Sequence, residues 1–207
     1  MIQKLDIETI CDNIEVEIKK NTISLGFDVA QNKTGVCLLR TDNQYLYIEA
    51  LECICIKKGK KTLHQVIDEF ESKAQELKLQ IEKLKLKCSN KILMIEDCWF
   101  GKSVWTTKIL AKFAVLVYII FKHWATETPD PIQPITARNI IKFPEDKGKF
   151  HFEEDDNGKK HKVWDIKPLD VKKQVQNYLS DELDVDIQDA ELSDGFVLAF
   201  AGLIDRE

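Results

Sequence analysis

The stretch ISLGFDVAQNKTGVCLL, residues 23–39, constrains the chain more than any other: an apolar run ends on Asp28, a polar turn follows, and a second apolar run begins beyond Gly35. Side chains alternate along a strand, so Ile23, Leu25 and Phe27 share one face while Ser24, Gly26 and Asp28 share the other. A carboxylate at the lip of a buried strand is costly to desolvate. The small residues beside it leave space for something other than a side chain, and Gly35 is expected to lend backbone freedom where the chain turns back.

Around this turn the sequence reads as an α/β domain. YLYIEALECICI (45–56) alternates over the length of a half-exposed antiparallel strand, which completes a three-strand meander. Residues 63, 66, 67, 70, 74, 77, 81 and 84 form an apolar stripe with a charged opposite face, the mark of a surface helix. KILMIE (91–96) is a compact apolar run of the kind covered on both faces, and it too ends on a carboxylate. Further helices are expected at about 103–125, over KPLDVKKQVQNYL, and at about 190–203, with a proline-rich loop at ETPDPIQP and a short strand and helix turn in PITARNIIKF. KFHFEEDDNGKKHKVWDI alternates around Asn157-Gly158, a pair suited to a tight hairpin turn, and predicts a projecting β-hairpin at about 145–166. Residues 1–21 read as an N-terminal extension with an amphipathic helix, and 22–207 as one domain.

Composition excludes several classes. The apolar run FAVLVYIIF (113–121) lies between Lys112 and Lys122 and is far shorter than the roughly 20 residues of a bilayer span, so it reads as a buried helix and no membrane partner is expected. The cysteines stand mostly singly among apolar residues, as reduced core thiols do, and no second Cys or His pair accompanies Cys53 and Cys55 at zinc-site spacing. A cytoplasmic protein without a small-molecule cofactor is expected. The net charge of −5 argues against indiscriminate coating of nucleic acid, but lysines cluster locally at 57–61, 159–162 and 172–173.

If KILMIE runs parallel to ISLGFD, Glu96 emerges beside Asp28 at the carboxyl end of the sheet, where open α/β sheets place their ligands. The last helix adds Glu191 and Asp194, three residues apart and on one helical face. Four converging carboxylates repel one another unless protons or cations intervene. Oxygen-only ligands suit Mg²⁺, with Mn²⁺ as a substitute, and two such ions about 4 Å apart activate water and stabilise the leaving oxygen of a phosphodiester. Taken singly, each acid has a plainer role: Asp28 as a turn cap, Asp97 as a surface residue, Glu191 and Asp194 as acids favoured by a helix dipole.

GFDVAQNKTGVCLL, ILMIEDCWFGKS, KKQVQNYL and ELSDGFVLAFAG stand in the order found in RuvC-like Holliday junction resolvases, and the chain resembles that family over about residues 22–205. The resemblance implies an RNase H-like fold: a mixed central sheet of three antiparallel strands followed by parallel strands, helices on both faces, and here an inserted hairpin. It implies Mg²⁺-dependent cleavage of four-way DNA junctions by a homodimer, with Asp28, Glu96, Glu191 and Asp194 as catalytic, metal-binding acids. Trp99 stands where that family inserts an aromatic at the junction centre, with Phe100 and Lys102 beside it, and Arg138, Lys142, Lys172 and Lys173 fall near its basic positions. Trp99 as a core aromatic and the hairpin as a solvated projection are the competing readings. Glu191 departs from the Asp more frequent in the bacterial family, and the hairpin and first twenty residues are additional, which suggests a divergent, virus-encoded branch acting in host cytoplasm. The alternatives are a same-fold nuclease acting on flaps, R-loops or RNA/DNA hybrids, a noncatalytic DNA-binding protein, and an actin-like phosphotransferase, which lacks its second glycine-rich loop here.

Overall fold

Successive strands from the two apolar runs pair antiparallel, Asp28 opposite Gly35, as the alternation in residues 23–39 requires. The structure is a computed structural model that describes residues 3–57, 59–97, 104–143, 145–155, 159–183, 185, 187 and 189–205. Its elements are β1 (Gln3–Asp6), α1 (Ile7–Ile14), β2 (Thr22–Asp28), β3 (Lys33–Thr41), β4 (Tyr45–Cys55), α2 (Leu63–Lys83), β5 (Asn90–Ile95), α3 (Val104–Phe121), α4 (Pro134–Ile140), β6 (Lys149–Glu154), β7 (Lys160–Ile166), α5 (Val171–Leu183) and α6 (Ala190–Leu203). The central sheet has the order β1-β4-β3-β2-β5, with β2 and β5 parallel and its other pairs antiparallel.

Alternation sorts the sheet's side chains into two cores. Ile23, Leu25, Phe27, Leu93 and Ile95 pack against α2 and α3; Cys37, Leu39, Ile92 and Met94 pack against α6 together with residues of α1, α4 and α5. Helices therefore cover both faces, which explains why β2 and β5 read as near-continuous apolar runs. A capping box starts α2: Gln65 N–H donates to Thr62 Oγ1 at 3.3 Å and Thr62 N–H donates to Gln65 Oε1 at 2.9 Å. Its buried stripe, Phe70, Ala74, Leu77 and Ile81, meets α3 through a Phe70–Phe113 stack with ring centroids 3.8 Å apart.

Three expectations are corrected. The N-terminal segment begins as a strand, β1, before α1; Asp6 ends that strand and caps the helix by accepting from Glu8 N–H and Thr9 N–H. Leu5, Ile7, Ile10 and Ile18 are buried in the core beneath α6. The proline-rich segment runs parallel beside β5, bridging Ile92 to Glu127 and Glu96 to Ile132. Pro129 and Pro131 offer no N–H, and the pairing breaks between the two bridges, so this edge never becomes a regular strand. Gly35 is an ordinary extended strand residue, and among the described glycines only Gly148 has positive φ.

The apolar helix is also less buried than its composition implies. Val104–Phe121 is long and apolar enough to cross a membrane by length and composition alone, yet Ile109, Phe113, Val117, Ile120 and Phe121 form a buried stripe against the core. Its opposite side leaves Val104, Trp105, Val115, Tyr118 and Ile119 exposed.

Candidate active site

The small face of β2 is what brings the last helix to the first acid. A Cβ on Gly26 would stand 2.4 Å from Ala199 N and 2.5 Å from Gly195 O, and one on Gly195 would stand 3.1 Å from the Gly35 carbonyl. The space beside Asp28 is thus filled by helix backbone. With α6 pressed against β2 and β3, Asp194, the residue before Gly195, comes to the end of β2. Glu96 is delivered by the parallel pairing: Phe27 faces Ile95, and Glu96 N–H donates to Phe27 O at 3.0 Å.

Asp28 and Asp194 are only 4% and 5% exposed. Lys172, in the first turn of α5, binds both through Nζ, at 3.2 Å to Asp28 Oδ2 and 3.4 Å to Asp194 Oδ2. Arg138, in the last turn of α4, reaches Asp194 Oδ1 through Nη1 at 3.4 Å, while its buried Nε has no hydrogen-bond partner among the described residues. Burial, reinforced by the charge of Asp28 and a hydrogen bond with it, pushes the Glu96 carboxyl up to about 9. At neutral pH Glu96 therefore keeps its proton and donates to the Asp28 carboxylate. Burial and the charge of Asp28 also raise Asp194, against the pull of Lys172 and Arg138.

Of the four acids expected from the sequence, the structure brings three together, and Glu191 lies one helical turn before Asp194 in α6 with a side chain outside the described residues. Among the described residues no three metal-ligating side chains form a ready-made group. The donor chemistry nevertheless suits a hard divalent cation: oxygen donors only, buried, one of them forced to hold a proton, and an ammonium between the other two where positive charge is needed. The expected basic residues separate. Lys172 and Arg138 face the acids, Lys173 is exposed, and Lys142 turns away, its Nζ bonding the Glu15 carbonyl at 2.5 Å. Trp99, Phe100 and Lys102 lie outside the described residues. Unanticipated from sequence is the ion pair of Lys33, at the start of β3, with Asp189, which ties the β2–β3 turn to the residue before α6. Isolated charges in two polar segments carry no pattern that reveals such a partner.

No protein-family model and no curated protein matches the chain. Solved structures do. RuvC of T. thermophilus in complex with a Holliday junction substrate aligns at TM-score 0.56 and 8% identity, covering 86% of this chain and 91% of that one. A second Thermus thermophilus RuvC structure aligns at 0.53 and 8%, covering 86% and 92%. The yeast mitochondrial Holliday junction resolvase Ydc2 aligns at 0.49 and 10%, covering 95% and 83%. The helix-covered mixed sheet, with β5 parallel to β2 and α6 laid across it, is the RuvC-like form of the RNase H-like fold.

Proposed function

We propose that this protein is a divalent-cation-dependent endonuclease that cuts four-way DNA junctions. The observation that carries this reading is the convergence of Asp28, Glu96 and Asp194, from two parallel strand ends and one helix, on the Lys172 ammonium. Two magnesium or manganese ions, held by these acids with Glu191 alongside, would supply the Lewis acidity that activates water and stabilises the leaving oxygen. The chain's own groups prepare the site. The Glu96 carboxyl must give up its proton for the full charge of the ligand set to develop. Lys172 and Arg138, already held at the acids, are placed to neutralise a scissile phosphate. Trp99, Phe100 and Lys102, directly after Glu96, are proposed to meet the junction centre, and Lys173 the flanking backbone. Similarity to a protein solved with a Holliday junction supports the choice of substrate.

The test is a substrate panel: four-way junction, flap, RNA/DNA hybrid and linear duplex, each with Mg²⁺ or with EDTA, for the wild type and Asp194→Asn. Paired nicks across the junction are expected from the wild type with Mg²⁺ alone. Cutting in EDTA, or equal cutting by the variant, rejects the mechanism; preference for a flap or a hybrid keeps the mechanism and replaces the substrate.

The site also predicts a pH signature. The native state holds a proton on Glu96 that the unfolded chain releases near the usual 4.5, so this contribution to stability is present below about 4.5 and is lost as pH rises toward about 9. In EDTA the melting temperature is expected to fall across that window. Mg²⁺ is expected to raise it most at the alkaline end, where it no longer competes with the proton. Scanning calorimetry from pH 5 to 9 measures both.

Symmetric cutting calls for two sites related by a twofold axis, and the outer side of α3 is proposed as the dimer face. Its exposed Val115 and Tyr118 adjoin an apolar cavity of about 380 Å³ that Leu93, Ile95 and Pro129 also line. Ile119→Asp places a charge on that face without entering the core. It is expected to weaken self-association by about 100-fold, roughly the cost of burying one unpaired charge. Sedimentation should then report a monomer, and junction cleavage should shift from paired to single nicks.

A further inference from the structure

The β6–β7 hairpin belongs to neither core: among the described residues its strands pair only with each other, and Phe150, Phe152 and Trp164 are 45%, 62% and 37% exposed. Pairing of Phe150 with Trp164, Phe152 with Lys162 and Glu154 with Lys160 puts all six on one face. There the rings touch edge-on, with centroids 5.6 Å apart for Phe150–Phe152 and 5.5 Å for Phe150–Trp164, and Lys162 Nζ lies 3.8 Å over both Phe150 and Trp164. The described acids elsewhere in the hairpin are engaged. His151 binds Glu153 and Asp165, and His161 binds Asp155. Glu153 and Asp155 are thus matched with histidines, while Lys160 and Lys162 share the aromatic face with Glu154.

The root of the hairpin is clamped to the helix that carries Lys172. Gln174 Nε2 donates to Asp146 O and to Leu169 O, both at 2.9 Å, and Asp146 N–H donates to Gln174 Oε1 at 2.8 Å. Gly148, with φ +65°, admits no side chain, because a Cβ there would stand 2.4 Å from Ile166 O and 2.5 Å from Pro168. An aromatic face flanked by lysines is therefore held on a fixed root beside the first turn of α5.

From this geometry we infer that the hairpin is a second nucleic-acid contact: its rings stack on unpaired bases of a DNA strand leaving the cleavage centre, and Lys160 and Lys162 take the phosphates. The inference rests on the proposal that branched DNA is the substrate. Stacking tolerates any base and loses about five- to 150-fold per base on truncation of the ring. The rings also steady the hairpin, whose two strands alone are marginal, so the test must separate the two roles.

Binding is measured by fluorescence anisotropy for the full chain carrying Asp194→Asn, on a four-way junction, a junction with unpaired bases at its centre, a single strand and a linear duplex. Phe152→Leu/Trp164→Leu keeps apolar area but removes two rings. It is expected to weaken binding to the single strand and the unpaired junction at least fivefold and to leave the linear duplex unchanged. Lys160→Gln/Lys162→Gln, which leaves every ring in place, is expected to weaken all four and to lower the salt dependence by about two phosphate contacts. Unaltered single-strand affinity in both variants overturns the inference, as does a change in sedimentation at unaltered affinity, which would assign the face to a protein. If the parent chain binds no junction at all, the proposed function fails first, and the hairpin inference with it.

Discussion

Asp28→Asn is expected to lower junction cleavage by about a thousandfold, the scale on which losing a preorganised charge at a reacting centre is felt, while the chain stays folded and binds the junction. Asn keeps the volume and hydrogen-bonding reach of Asp at a buried position, so β2 and its pairing with Gly35 survive. What disappears is charge. The Glu96 carboxyl is held high first by burial and then by the charge of Asp28 and their hydrogen bond, so removing that charge lets Glu96 ionise at lower pH. Lys172 keeps Asp194 as a counter-charge. Two readouts must therefore move together: cleavage falls, and the decline of the melting temperature with pH in EDTA becomes shallower. A folded variant that cuts at the wild-type rate would show that the acids are a structural ion-pair network with no role in catalysis.

Legibility followed the physics of each element. Periodicity over many residues exposed α2, and the burial of both faces exposed β2 and β5 as apolar runs, because every residue in such elements answers to the same packing constraint. The four residues of β1 are too few to show a period, and residues 1–21 read as holding an amphipathic helix where the structure has a strand, a helix and a bridge from Ile18 to Ile204. The edge beside β5 was hidden by the residues that spoil it, since Pro129 and Pro131 signal a loop while their neighbours still bond as a strand. At the site, Asp28, Glu96 and Asp194 were readable because strand ends and helix faces fix where a side chain emerges. Lys142 was not, because its position depends on a left-handed turn, φ 51°, and on a partner, Glu15, far away in the chain. The smallness of Ser24 and Gly26 was visible in the sequence, but its purpose was not: the room beside Asp28 receives the backbone of α6.

That purpose gives the largest expected effect on stability. Gly26→Val should cost at least about 3 kcal/mol, the upper end of overpacking penalties, and for a chain of 207 residues about 6–12 °C of melting temperature. A flexible neighbour could yield, but a Cβ at position 26 meets Ala199 N at 2.4 Å, Gly195 O at 2.5 Å and Ala199 Cα at 2.9 Å, all of them backbone. The helix must move as a body, and it carries Phe196, Val197, Leu198 and Phe200, which are fully buried. Displacing α6 from β2 also withdraws Asp194 from Asp28, so Lys172 can no longer hold both. Gly26→Ala is the informative companion: its single methyl should lose less stability yet still disturb the distance between the two acids. Calorimetry and junction cleavage on the pair distinguish the roles of the glycine. If Gly26→Ala retains wild-type stability and activity, close seating of α6 is not what assembles the site, and the convergence of the acids must be held by Lys172 and Arg138 instead.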